Sequence, residues 1–367
     1  MRIVIACAQY PPAHTGYAQV ASRLTAGLTA LGQEVRVLTE GRGCSRVGRA
    51  AFLNSSGRRL LREGADVVQV IGPTPLFSEQ VVLESARLGL PVAYYIHAFA
   101  GLGTFHRNPP FRFVDWVYLH TYYRRALRFV TRATSSTADF ATSFGLYRGP
   151  WAIVPNGVAD PCLDSDRLPR TVGPATPSTR LRALFVGQLR PYKGVDCLLR
   201  AVQELRRQGK EVELTIVGEG PERSRLNEIV TQLDLQPLVK MRGLLDAEGL
   251  HSEYLSNDVL VLPSRSGESF GIVLLEGRLH GLQLVASDLP GVREVVHEIG
   301  GTLVPPNDVP ALSHALLSLS PLPTEARVLN EQIAQAYSWK RIVSMYLDVY
   351  RSMSPGTLGV SPGEPYA

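Results

Sequence analysis

Asp258-Val-Leu-Val-Leu-Pro-Ser-Arg-Ser-Gly-Glu268-Ser-Phe-Gly-Ile-Val-Leu-Leu-Glu276-Gly-Arg-Leu-His-Gly281 is the stretch from which the fold of this chain can be read. The apolar run Val259 to Leu262 stops at Pro263, as a buried strand does, and six polar or glycine residues follow. An apolar segment of helical length comes next, so the stretch predicts a strand, a loop and a helix. The helix N-terminus then points back over the carboxyl end of the strand. In an open α/β sheet that crevice holds ligands, and the helix end favours anions. Glu268 and Glu276 bracket the start of the helix, with Phe270-Gly271 between them. An ionised carboxylate only accepts hydrogen bonds, so two of them beside an anion-binding helix end suit a ligand rich in hydroxyls and phosphate, such as a nucleotide sugar.

The fragment Glu268-Ser-Phe-Gly-Ile-Val-Leu-Leu-Glu276, with Pro263-Ser264 ahead of it, resembles the Glu-x7-Glu signature of retaining nucleotide-sugar glycosyltransferases of family 4, the group 1 type. Two glutamates eight apart say little by themselves; an N-capping acid and a solvated helix glutamate would look the same. The flanking Pro-Ser and the internal Phe-Gly make the match specific. The resemblance implies a GT-B fold, in which two Rossmann-like doubly wound parallel-sheet domains face a central cleft.

Bulk properties agree with a two-domain enzyme. The chain has 367 residues, 45% apolar and 19% charged, enough for two cores and too apolar for disorder. No run approaches transmembrane length, and the N-terminal Met1-Arg-Ile-Val-Ile-Ala-Cys-Ala reads as a strand, not a signal peptide. Cys7, Cys44, Cys162 and Cys197 are scattered and no histidine cluster has ligand spacing, which points to a reduced cytoplasmic protein with no structural metal. The net charge of +5 is uneven: residues 1–150 carry 17 arginines, no lysine and eight acids, while the remainder is acidic. The basic first half suits an anionic partner, either an acidic acceptor or the inner membrane face as a peripheral contact. Nucleic acid is not expected, because no nucleic-acid-binding motif is present.

Strands and helices alternate twice along the chain. The first series predicts strands at 2–6, 34–38, 67–71, 91–96 and 151–154, helices at 17–31, 76–88 and 116–130, and a long loop over 98–115. Residues 159–179 are rich in proline, serine and threonine and read as an interdomain linker. The second series predicts strands at 181–186, 213–217, 239–242, 259–262, 284–287 and 302–304 with helices between and after them. Domains are therefore assigned as 1–165, a linker at 166–180, and 181–337. Residues 338–353 resemble the family's last helix, which returns to the first domain, and 354–367 read as a disordered tail.

Val186-Gly-Gln-Leu-Arg190-Pro-Tyr-Lys193-Gly194 forms the first turn of the second domain and resembles the family's Gly-Arg-Leu…Lys-Gly motif. In the family that motif stabilises the departing diphosphate electrostatically, without a metal. Gln188 stands where many members have arginine, so the role passes to Arg190 and Lys193; a solvated pair at a helix start is the competing reading. The resemblance further assigns Glu276 to the ribose hydroxyls, Glu268 and the Ser269-Phe270-Gly271-Ile272 backbone to the donor sugar, and Arg242-Gly243 to the region of the base. Gly16 is what remains of a glycine pair that closes over the donor phosphates. His97, at the end of a strand, lies beside the transferred sugar in the family; a satisfied rim histidine is the alternative. Glu294 is assigned to the nucleotide side. The basic, aromatic segment 116–132 either docks on a membrane surface or is a domain helix burying Val117, Leu127 and Val130.

The resulting expectation is a retaining glycosyltransferase without cofactor. It moves a sugar from a nucleoside diphosphate, UDP being favoured over GDP, to a hydroxyl on a small molecule, glycan or lipid-linked acceptor. The alternatives are a non-catalytic GT-B relative serving as a binding partner, to which Gln188 points, and a nucleotide-sugar epimerase.

Overall fold

A computed structural model describes residues 1–11, 16–47, 50–97, 113, 116–158, 180–319 and 326–353. The linker expected at 166–180 (Arg180 apart), nearly all of the expected loop at 98–115 and the tail at 354–367 lie outside the described residues. The chain divides into two compact units, one of Met1–Asn156 with Trp339–Ala367, the other of Gly157–Ser338.

The first unit is built on an eight-stranded sheet. Its strands are β1 (Arg2–Ala6), β2 (Glu34–Glu40), β3 (Gly43–Val47), β4 (Ala50–Leu53), β5 (Val67–Gly72), β6 (Val92–Ile96), β7 (Arg132–Ser135) and β8 (Trp151–Ile153), in the spatial order β4-β3-β2-β1-β5-β6-β7-β8. All neighbours run parallel except β3 and β4. β5 and β6 are buried along their whole length. That follows from helices covering both faces of a parallel sheet, and it explains why these strands read as nearly continuous apolar runs, broken in β5 only by Gln69.

Five elements escaped the sequence reading. β3 and β4 pair antiparallel at the sheet edge without an apolar period. The short helix Ser55–Arg62 starts where the Asn54 side chain accepts from the Gly57 amide at 3.1 Å. β7, Arg-Ala-Thr-Ser, is buried by small and polar residues, and Thr137 caps the helix Ala138–Ser143. The helix expected over 116–130 is also irregular, with a π-helical turn at Leu119–Tyr123 before Arg124–Leu127. Leu127 and Val130 are buried there as expected, but Val117 is exposed. The π-turn adds a residue and rotates the apolar stripe away from Val117.

The helix Trp339–Met353 buries Trp339, Ile342, Val343, Tyr346, Leu347, Tyr350 and Met353, a three-and-four spacing that makes one face apolar. That face packs on the first unit against the helix Gly16–Ala30, and the Tyr350 hydroxyl donates to Gln69 Oε1 of β5 at 2.9 Å.

The second unit is a six-stranded, all-parallel sheet: β9 (Leu181–Val186), β10 (Val212–Val217), β11 (Val239–Gly243), β12 (Val259–Leu262), β13 (Gln283–Ser287) and β14 (Thr302–Val304). The order is β11-β10-β9-β12-β13-β14. Two parallel-sheet α/β domains are thus the architecture, as the alternation of elements predicted. No described helix is long and apolar enough to cross a membrane.

Candidate functional site

In the second sheet the chain leaves β9 toward β10 and leaves β12 toward β13, in opposite directions. The turns at the carboxyl ends of two such strands part from each other, and this switch point is where an open α/β sheet offers a crevice. The turn after β9 carries Gly187 to Gly194. The turn after β12 carries Pro263 to Gly271. The candidate residues of the second unit gather around these turns.

Lys193 Nζ lies 2.5 Å from Glu268 Oε2, joining residues 75 positions apart in sequence. Both side chains are 15% exposed. Ser264 Oγ donates to the same carboxylate oxygen at 3.2 Å, and Lys193 Nζ sits 5.6 Å from the centre of the Tyr192 ring. Burial pulls the lysine's affinity for its proton down, but the Glu268 carboxylate and Tyr192 outweigh it and hold the ammonium charged above its ordinary range.

Arg265 straps the two turns together. Its amide donates to Tyr192 O at 2.7 Å, and its guanidinium donates to Pro191 O, Asp196 Oδ2 and Asn307 Oδ1, each at 2.8 Å. Burial raises the Asp196 carboxyl, but Arg265 and Arg225 overcome it and hold the group ionised below the usual carboxylate range. Gly194 is required here by close packing: its φ is +69°, and a Cβ would overlap the Pro263 carbonyl oxygen.

Glu276 lies in the helix Ile272–Leu279, whose N-cap is Gly271 at φ +78°. Its Oε2 accepts from the Tyr254 hydroxyl at 2.7 Å. Burial raises its pKa and the Tyr254 bond opposes this, leaving it above its ordinary value. Tyr254 stacks on His280, with ring centres 4.8 Å apart. His280 Nδ1 donates to the Glu276 carbonyl at 2.7 Å, and His251 Nδ1 is 2.8 Å from His280 Nε2. Burial pushes the His280 pKa down to about 4, so the ring is neutral. Ser269 and Phe270 are buried, Phe270 against Tyr337 with centroids 5.8 Å apart, and Ile272 is half-buried.

Arg190 is exposed and its Nε donates to Gln188 Oε1 at 3.3 Å, so the glutamine that replaces the expected arginine is bound to the arginine two places on. The turn after β10 is pressed against this one: Gly187 N donates to Val217 O, and a Cβ on Gly218, at φ +136°, would overlap the Gly187 carbonyl. Gly218 N in turn donates to Gly243 O at 2.7 Å. Arg242 is half-exposed and paired with Glu253 at 2.8 Å. Glu294 lies in the first turn of the helix Val292–Ile299, half-buried.

In the first unit, His97 follows β6 and is half-buried between two tyrosines, its ring 5.1 Å from that of Tyr95 and 5.2 Å from that of Tyr17. Gly16 starts the helix that carries Tyr17, and a Cβ there would meet nothing within 4 Å. The protein's own packing therefore does not demand glycine at 16. Residues 12–15, including Thr15, lie outside the described residues. Among the described residues no group of three or more His, Cys, Asp or Glu is placed to hold a metal ion.

Tyr254, Arg265 and Asp196 are functional candidates that sequence reasoning missed. Tyr254 is a single aromatic 22 residues before its partner, and Arg265 reaches a residue 69 positions away. Only Asp196, an acid in the first turn of a helix next to a cationic turn, carried a local signal.

Residues 173–336 match the family of glycosyl transferases, group 1. Over 213 residues the chain is 33% identical to a phosphatidyl-myo-inositol mannosyltransferase of Mycobacterium leprae, covering 55% of this chain and 53% of that one. The chain spans about half the length of that curated relative, and less of others. Among solved structures it resembles a sucrose-phosphate synthase of Thermosynechococcus elongatus with a TM-score of 0.71 at 18% identity, covering 96% of this chain and 98% of that one. It also resembles Anabaena HepE in complex with UDP, with a TM-score of 0.68 at 17% identity over 96% and 100% of the two chains. The fold is GT-B. The matches support a glycosyltransferase of the group 1 type.

Proposed function

We propose that the chain is a retaining family 4 glycosyltransferase that transfers a sugar from a nucleoside diphosphate to an acceptor hydroxyl, without a metal. The observation that carries this reading is the Lys193–Glu268 pair, 2.5 Å apart at the switch point of the second sheet, with Glu276 on the helix that follows. An ammonium has three donors. One is held by Glu268, and the other two serve the pyrophosphate oxygens on which charge develops as the sugar departs. Arg190 adds a second cation. Glu268 and the Phe270–Gly271 backbone hold the sugar, Glu276 takes the ribose hydroxyls, and Arg242–Gly243 lie toward the base. Attack proceeds on the face the diphosphate leaves, and the leaving phosphate receives the acceptor proton. Positioning and charge stabilisation then supply the rate, with no dedicated base.

UDP is the favoured nucleotide, in keeping with the UDP bound to Anabaena HepE. The first unit is assigned the acceptor, with His97 and Gly16 at the donor sugar and phosphates. Its face with exposed Trp116, Val117 and Phe129 among Arg124, Arg125 and Arg128 fits peripheral contact at a membrane's cytoplasmic surface.

A thermal-shift screen with UDP, GDP, their sugars, NAD and NADP, in EDTA, tests the reading. A rise with a nucleoside diphosphate that survives EDTA supports it. A rise with NAD or NADP alone refutes it. The bond between Gln188 and Arg190 favours a second reading, a non-catalytic relative. That reading predicts nucleotide binding without hydrolysis of, or transfer from, any nucleotide sugar.

A further inference from the structure

The assignment of Glu276 to ribose leaves open what prepares a half-buried carboxylate for that task. Four residues from two helices answer it. Glu276 and His280 lie one helical turn apart, and His251 and Tyr254 come from the helix Ala247–Ser256. A carbonyl oxygen only accepts, so the 2.7 Å contact from His280 Nδ1 to the Glu276 carbonyl places the proton on Nδ1. His280 Nε2 then carries the lone pair and accepts from His251 Nδ1–H at 2.8 Å. Both nitrogens of His280 are thus engaged, and its ring is fixed in plane and in tautomer. Tyr254 is 1% exposed and lies stacked on that ring, at 24° between planes, which points its hydroxyl at Glu276 Oε2. Tyr254 is the only side-chain partner of Glu276 among the described residues. One carboxylate oxygen is therefore taken and the other is left for a ligand.

We propose that Tyr254, held by the His251–His280 pair, is the positioning residue that orients Glu276 toward the two ribose hydroxyls of the donor nucleotide. The inference rests on the ribose role of Glu276. Tyr254 touches no substrate in this scheme; it acts through the carboxylate. Its bond also opposes the rise in the Glu276 pKa that burial causes, so the hydroxyl favours the accepting form as well as aiming it.

The test is calorimetric binding of UDP and 2′,3′-dideoxy-UDP (or the GDP pair, if only GDP binds) to wild type, Tyr254→Phe and Glu276→Gln. Phenylalanine preserves the stacking and the volume and removes only the hydroxyl. Tyr254→Phe is expected to weaken the ribonucleotide about tenfold, the scale of one hydrogen bond to a charged group, and to leave the dideoxy nucleotide unchanged. The acid limb of UDP binding should move to higher pH in this variant, and the donor KM should rise with kcat unchanged. A merely structural role would weaken both nucleotides alike and leave the pH profile in place. If Glu276→Gln discriminates ribose from dideoxyribose and Tyr254→Phe does not, the positioning role is wrong and the ribose role stands. If Glu276→Gln does not discriminate either, the ribose role falls and this inference with it.

Discussion

Replacing Lys193 by methionine keeps the apolar stem of the side chain and deletes its ammonium. Two consequences can be worked from the geometry. Glu268, 15% exposed, loses its only cationic partner at hydrogen-bond distance among the described residues and keeps Ser264 Oγ at 3.2 Å. A carboxylate stripped of its cation in this half-buried position costs about 1–3 kcal/mol of stability, since one neutral donor remains. The ligand effect is separate. A hydrogen bond to a charged phosphate contributes about 1.5–3 kcal/mol, so losing even one of the two raises the Kd of the nucleoside diphosphate about 10- to 150-fold, and that range is the minimum expected. The nucleoside alone makes no such contact, and its Kd should not change. Isothermal titration of UDP and uridine, or GDP and guanosine, into both proteins separates the two, with a melting curve to report the stability change. Equal losses for nucleotide and nucleoside would mean that the substitution disturbs the fold and that Lys193 does not face phosphate. No loss for either would remove Lys193 from the site.

Three further outcomes are expected. Gly194→Ala meets a left-handed backbone, which costs about 1–2 kcal/mol, together with an overlap on the Pro263 carbonyl. Its melting temperature should fall by at least about 2 °C, and an unchanged value would refute the packing argument. His280 is held neutral to about pH 4, whereas an ordinary histidine takes up a proton near 6.5. The unfolded chain therefore binds a proton that the folded one refuses, so stability falls as pH drops from about 6.5 to about 4, by about 3 kcal/mol. His280→Asn should flatten that slope in denaturant titrations across the range, and identical slopes would count against it. Arg278 is 4% exposed, its Nε has no hydrogen-bond partner among the described residues, and burial lowers its pKa. Arg278→Met should raise the melting temperature, because it removes a desolvated charge and keeps the volume; a fall would show that the guanidinium holds the fold together.

Much of the architecture was legible locally. β1, β5, β9 and β12 announce themselves as largely apolar runs ended by glycine, proline or a polar residue, because a parallel strand covered on both faces is mostly buried. The polar positions inside them, Gln69 in β5 and Arg182 in β9, are held by partners, Tyr350 and Asp258. The helix Trp339–Met353 announces itself by its three-and-four spacing. β7 did not, since Arg-Ala-Thr-Ser is buried with small and polar side chains in place of large apolar ones, Ser135 Oγ donating to Thr137 O. The π-turn at Leu119–Tyr123 was equally silent: a single extra residue changes which side of a helix is apolar without changing its composition.

The signature loop, its two glutamates and the neighbouring lysine could be named from the chain alone, because strand, turn and helix are set by residues a few positions apart. Their partners could not. Whether Lys193 meets Glu268, whether Arg265 reaches Asp196 and whether Tyr254 finds Glu276 depends on β9 lying beside β12 and on two helices packing against each other. Those adjacencies span 75, 69 and 22 residues. A buried polar group is satisfied by whichever element the packed sheet brings next to it, and hydrophobic periodicity carries no record of that neighbour.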